Sequence, residues 1–99
     1  MARVLLDLNN PAFQENWFAL EREEQLAVLG TLTRIPQMEW DQFYRDAGLR
    51  WEAIQSRSGP NGGRIYSLRV TRRSRAVGYR EGNILRFLAV HCDHDSAYR

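Results

Sequence analysis

The hydrophobic period of this chain changes once, from about 3.6 residues to 2, and the switch near residue 49 limits what it can fold into. Before the switch, Phe13, Trp17 and Leu20 recur at helical spacing, followed by a broad apolar stripe of Leu26, Leu29 and Leu32 with Val28 and Ile35. Asn10 and Pro11 give this region a cap and a proline at the first helical position. Glu21-Arg22-Glu23-Glu24 either continues the first helix or opens a second, and Pro36 ends the stripe. A shorter helix follows, with Trp40, Phe43, Tyr44 and Ala47 on one side and Gly48 as its stop.

After the switch, Leu49, Trp51 and Ala53 alternate with Arg50 and Glu52, and Tyr66, Leu68 and Val70 alternate with Ile65, Ser67 and Arg69. Arg75, Val77 and Tyr79 continue the pattern. Ser58 to Gly63 reads as a turn, and Glu81-Gly82-Asn83 as a tight hairpin. The last strand, Ile84 to His91, is apolar except for Arg86 and is expected to be central. A first strand around Val4-Leu5-Leu6 is expected at the sheet edge. The order predicts an α+β domain, with helices on one face of a mainly antiparallel sheet of four to five strands.

The 99 residues, 43% hydrophobic and 26% charged, fit one domain over 1–99, too apolar for disorder. No apolar run approaches the ~20 residues that span a bilayer. The opening Met1-Ala2-Arg3-Val4-Leu5-Leu6-Asp7 reads as a strand rather than a secretion signal. The single cysteine, Cys92, excludes an intramolecular disulfide and fits a reducing compartment. A cytoplasmic protein with no membrane partner is the expectation.

Charge divides the chain in two. All 14 basic residues are Arg. Residues 1–48 carry four Arg against eight acids, a net of −4, and residues 49–99 carry ten against four, a net of +6. A GC-rich coding sequence explains the missing Lys but not the clustering. Arg favours planar, bidentate contacts to phosphate or carboxylate.

Two segments can carry chemistry. In Arg69-Val70-Thr71-Arg72-Arg73-Ser74-Arg75, four guanidiniums repel one another until a polyanion arrives. Arg69 and Arg75 flank one turn and can point to one concave face, with Tyr66 and Tyr79 available to stack on bases or to fill the core. The alternative is a solvated hairpin whose arginines pair with acids of the helical half. The second segment is His91-Cys92-Asp93-His94-Asp95, with enough donors for a divalent metal. All of them come from one short stretch, however, and no second Cys or further His lies elsewhere, so a closed zinc site is not expected. In the acid–base reading, His94 lies between two carboxylates that fix its tautomer. An inert surface terminus is the competing reading. His91 is either a second titrating group or structural, and Cys92 is read as core.

Tyr66-Ser67-Leu68-Arg69-Val70, then Arg75-Ala76-Val77-Gly78-Tyr79, a hairpin, an apolar strand and His94-Asp95-Ser96-Ala97-Tyr98 together resemble the RelE/ParE toxin superfamily. The resemblance covers about residues 49–99, while the N-terminal helices match in kind and position. It implies an α-helical hairpin on a curved antiparallel sheet and a toxin neutralised by a co-expressed antitoxin. For the RelE branch it implies metal-free, cofactor-independent cleavage of messenger RNA, typically on the ribosome. Arg69 and Arg75 match the family's sheet cations, His94 its C-terminal catalytic residue and Tyr98 its terminal aromatic. Arg72, Arg73 and Tyr66 are the expected RNA-binding residues. Ser67 stands where some relatives carry Lys, and Asp93 and Asp95 replace often basic positions. Alternatives are a ParE-type, non-enzymatic gyrase poison and a degenerate member that only binds protein or RNA.

Overall fold

The computed structural model describes residues 2–59 and 62–92, so Asp93, His94, Asp95 and Tyr98 lie outside the described residues. The elements run β1 (Leu5–Asp7), α1 (Pro11–Ala19), α2 (Arg22–Arg34), a 3-10 turn (Ile35–Gln37), α3 (Trp40–Arg45), β2 (Glu52–Ser58), β3 (Arg64–Arg69), β4 (Ser74–Glu81) and β5 (Ile84–Cys92). This is the expected α+β fold. The sheet has five strands in the order β1-β5-β4-β3-β2. β1 takes the edge as anticipated, parallel to β5, and the other pairs are antiparallel. β5 is interior, but the middle position belongs to β4.

Local chemistry explains most boundaries. The Asn10 side chain accepts the N–H groups of Ala12 (2.8 Å) and Phe13 (3.4 Å) while Pro11 fills the first helical position. Glu23 and Glu24 sit in the first turn of α2, where the helix dipole favours negative charge, so the acidic stretch opens a second helix. Pro36 then tightens the chain into the 3-10 turn. Glu39 and Gln42 form a reciprocal capping box on α3.

Two helical expectations need correction. Gly48 does not end α3. The helix stops at Arg45, because the Asp46 carboxylate accepts the Leu49 N–H (3.0 Å) and turns the chain back. The left-handed residue of this connection is Arg50, at φ +51°. The stripe on α2 is also narrower than its leucines suggest. Val28, Leu32 and Ile35 are buried, whereas Leu26 and Leu29 are exposed and Phe18 is 69% exposed. Leu29 and Phe18 help line an open apolar groove of about 350 Å³ between α1 and α2.

The core lies between the helices and one face of the sheet. Phe13 of α1 meets Phe87 of β5 with ring centroids 5.3 Å apart, and Trp40, Phe43 and Trp51 form an edge-on cluster beside them. The indole N–H of Trp40 donates to the Asn83 carbonyl (3.1 Å), tying α3 to the hairpin turn. In that turn Gly82 adopts φ +61°, the leading-glycine arrangement of a two-residue hairpin. β-bulges interrupt β3–β2 pairing between Ala53 and Ser58 and β4–β5 pairing between Val77 and Gly78, which bends the sheet. A side chain at Gly78 would place its Cβ 2.6 Å from the Arg86 carbonyl oxygen, so only glycine fits this bend. No helix among the described residues is long and apolar enough to cross a membrane.

Candidate nucleic-acid interface

Strand pairing decides which side chains share a face. Leu68, Ala76 and Val90 are opposite one another on β3, β4 and β5, and all are buried under the helices. Their neighbours must therefore point the other way, because successive strand residues alternate. Those neighbours are Arg69, Arg75 and His91, likewise directly opposite one another. Directly paired residues hold their Cβ atoms about 5 Å apart. The open face thus carries a row of guanidinium, guanidinium and imidazole across three strands. Arg69 and Arg75 are half-buried and His91 is exposed.

Arg69 and Arg75 come together as the sequence anticipates. His91 joins them by strand register, which one-dimensional spacing could not reveal. His94 and Tyr98 lie outside the described residues. Cys92, next to His91 on an alternating strand, turns to the helix side, where it is half-buried opposite Ser74. Ser67 lies on the Arg69 side, opposite Val77 and Glu52. Tyr66 takes the other side, its ring stacked on Trp51 at 4.3 Å and 13°. Tyr79, opposite Arg86, is the tyrosine that shares the Arg75 side.

Arg72 and Arg73 are exposed on the turn between β3 and β4. Among the described residues, neither Arg72 nor Arg73 forms an ion pair with an acid. Instead, the buried Glu24 carboxyl group accepts hydrogen bonds from the hydroxyls of Thr71 and Ser74 through a single oxygen, Oε2. Thr71 Oγ1 in turn accepts the N–H groups of Arg73 (3.0 Å) and Ser74 (2.9 Å). One helical face further along α2, the Thr31 hydroxyl donates to the Val70 carbonyl. Helix α2 therefore fixes the turn with polar groups at positions 24 and 31, one on each side of buried Val28. Their i, i+4, i+7 spacing is the signal that could have revealed this from sequence.

At the opposite end of the face, Arg86 is neutralised. It donates to Asp7 of β1 and, at 2.6 Å, to Glu81 of β4. A backbone hydrogen bond from Asn9, followed by the Arg86 guanidinium, holds the Asp7 carboxyl below its usual pKa. Since the folded value is the lower one, this contribution is present above the ordinary carboxylate range and is lost as pH falls through it. Asp7→Asn should cost roughly 0.5 kcal/mol at neutral pH, the scale of an exposed ion pair. The gap to wild type should narrow in urea titrations as the pH falls below the ordinary aspartate range.

Among the described residues, the geometry defines an α+β protein whose sheet face turned away from the helices concentrates arginine at one end and holds Arg86 between Asp7 and Glu81 at the other. No protein-family model matches the chain, and no curated protein matches it. Among solved structures it is similar to a copper-bound mutant toxin from Helicobacter pylori, at 13% identity over 97% of this chain and 98% of that one, with a TM-score of 0.47.

Proposed function

We propose that this chain is the toxin of a type II toxin–antitoxin pair and cleaves messenger RNA, with the ribosome presenting the message and a cognate antitoxin as its protein partner. The observation that carries the reading is the Arg69–Arg75–His91 row on the helix-free face. The RelE-like pattern of residues 66–79 supports it from the sequence side.

Cleavage within RNA calls on groups of the kinds this chain carries. The ribose 2′-oxygen attacks the adjacent phosphorus, the bond to the 5′-oxygen breaks, and a 2′,3′-cyclic phosphate and a 5′-hydroxyl result. One group must take the 2′-hydroxyl proton and another must return a proton to the departing 5′-oxygen. His91 and His94 are the two imidazoles assigned to these transfers. Arg75 and Arg69 stabilise the added charge on the phosphate oxygens, for which planar guanidinium forks are well suited. Arg72 and Arg73 hold the strand by its backbone, and Tyr98 orients the base beside the cut. Tyr66, stacked on Trp51 on the opposite side of the sheet from the row, supports β3 rather than holding the strand at the cut.

The test expresses wild type, His91→Ala and His94→Ala in growing cells and maps message ends. Wild type should arrest growth and cut messages. Each variant should cut about 10²–10⁴-fold more slowly and release the arrest. A His94→Ala variant that still arrests growth with messages intact overturns the reading in favour of a non-enzymatic toxin.

A further inference from the structure

Arg69 belongs to two constellations. Besides its place in the sheet row, it lines an open cleft of about 480 Å³ with Arg34, Arg50 and Arg72. These four come from the last turn of α2, the α3–β2 connection, the end of β3 and the turn after it. Their proximity is a product of the fold, since they span 39 positions of sequence, from 34 to 72. Only one carboxylate meets them among the described residues, Asp46 on Arg34 at 3.3 Å. No described acid lies within ion-pair distance of Arg50, Arg69 or Arg72.

Crowding four guanidiniums around an open cleft raises the free energy of the ligand-free protein, and an arriving anion relieves that repulsion. Arg50 adds a second, independent cost. Its backbone sits at φ +51°, a region that penalises any residue with a Cβ, although glycine would occupy the same turn without strain. Strain of this kind is retained where the side chain has a task. Arg34 has a structural reason to be cationic, being at the negative end of the α2 dipole. Arg50 has none, which makes it the diagnostic residue.

We infer that the Arg34–Arg50–Arg69–Arg72 cleft holds a backbone phosphate of the single-stranded RNA whose scissile phosphate lies at Arg75. The inference rests on the functional reading above and deepens it. Because Arg69 is shared, a strand leaving the row passes directly into the cleft, where guanidinium forks grip phosphate oxygens without reading bases. The cleft then sets affinity and register, and the sheet row performs the chemistry.

The experiment measures binding of a fluorescent single-stranded RNA by anisotropy across a salt series, with wild type, Arg50→Gly, Arg50→Lys and Arg75→Ala. Arg50→Gly should weaken binding about tenfold, consistent with the loss of one charge-assisted contact. It should also flatten the salt slope by about 0.7, the share of one phosphate on a single strand. The same variant should melt a few degrees higher, since backbone strain is removed, so weakened binding cannot be attributed to misfolding. Arg50→Lys should recover the salt slope but only part of the affinity. If Arg50→Gly binds RNA like wild type while Arg75→Ala abolishes cutting, the cleft inference fails and the functional reading stands. If wild type binds no RNA yet cuts messages on ribosomes, the cleft inference alone fails; if it neither binds nor cuts, both fail together.

Discussion

Arg75→Ala is expected to slow RNA cleavage about 10²–10³-fold, the usual cost of removing one donor aimed at charge that develops in a transition state. Arg75 occupies the centre of the row, flanked by Arg69 on β3 and His91 on β5. Melting should move by only about 4 °C or less, because the side chain projects from the open face rather than into the core. Arg75→Lys should recover part of the rate, since it keeps the charge but loses the planar fork. Single-turnover cleavage of a bound message, with thermal melts alongside, measures both quantities. Cutting at the wild-type rate by Arg75→Ala would reduce the row to a solvated basic surface.

The largest loss of stability is expected from Glu24→Ala. Glu24 is only 9% exposed and Ser74 only 1%, so deleting the carboxyl group strands a buried hydroxyl and frees a second one. Each bond to a carboxyl group contributes on the order of 1.5–3 kcal/mol, and an orphaned buried donor costs about as much again when water cannot reach it. Partial relaxation and water entry at Thr71 limit the total to about 3 kcal/mol, or a fall of roughly 10–20 °C in Tm for a domain of this size. The damage should extend to function. With Thr71 released, the turn carrying Arg72 and Arg73 loses its anchor to α2, and RNA affinity should drop even at temperatures where the protein remains folded. Glu24→Gln, which keeps one oxygen acceptor, should recover about half of the stability. Urea denaturation of the three proteins tests the ladder, and a Glu24→Ala variant as stable as wild type would show that the turn holds itself.

Most of the fold was legible because it follows from short-range rules. The change of period at residue 49, the Asn10–Pro11 start, the Pro36 break and the Gly82-Asn83 hairpin each act within a few positions. Errors arose where tertiary contact decided the outcome. Leu26 and Leu29 have helical spacing yet remain exposed, because α2 is covered along only one narrow strip. Gly48 looked like a helix stop, but Asp46 ends α3 with its side chain and leaves Arg50 to take the left-handed position. The site was half legible for the same reason. Arg69 and Arg75 flank one turn and had to meet, whereas the alignment of His91 with Arg75 depends on the β4–β5 register and its bulge. The gathering of Arg34 and Arg50 beside Arg69 and Arg72 joins segments that no linear motif connects.

The most direct measurement offers the purified protein, with EDTA present, a message programmed on ribosomes and its twin carrying one 2′-deoxy nucleotide immediately 5′ of the cut. The natural message should be cut and should end in a 2′,3′-cyclic phosphate, while the deoxy twin stays whole because the attacking oxygen is gone. Equal cutting of both, or uncut messages in cells that the protein has arrested, would contradict a face built from Arg69, Arg75 and histidine for 2′-hydroxyl attack.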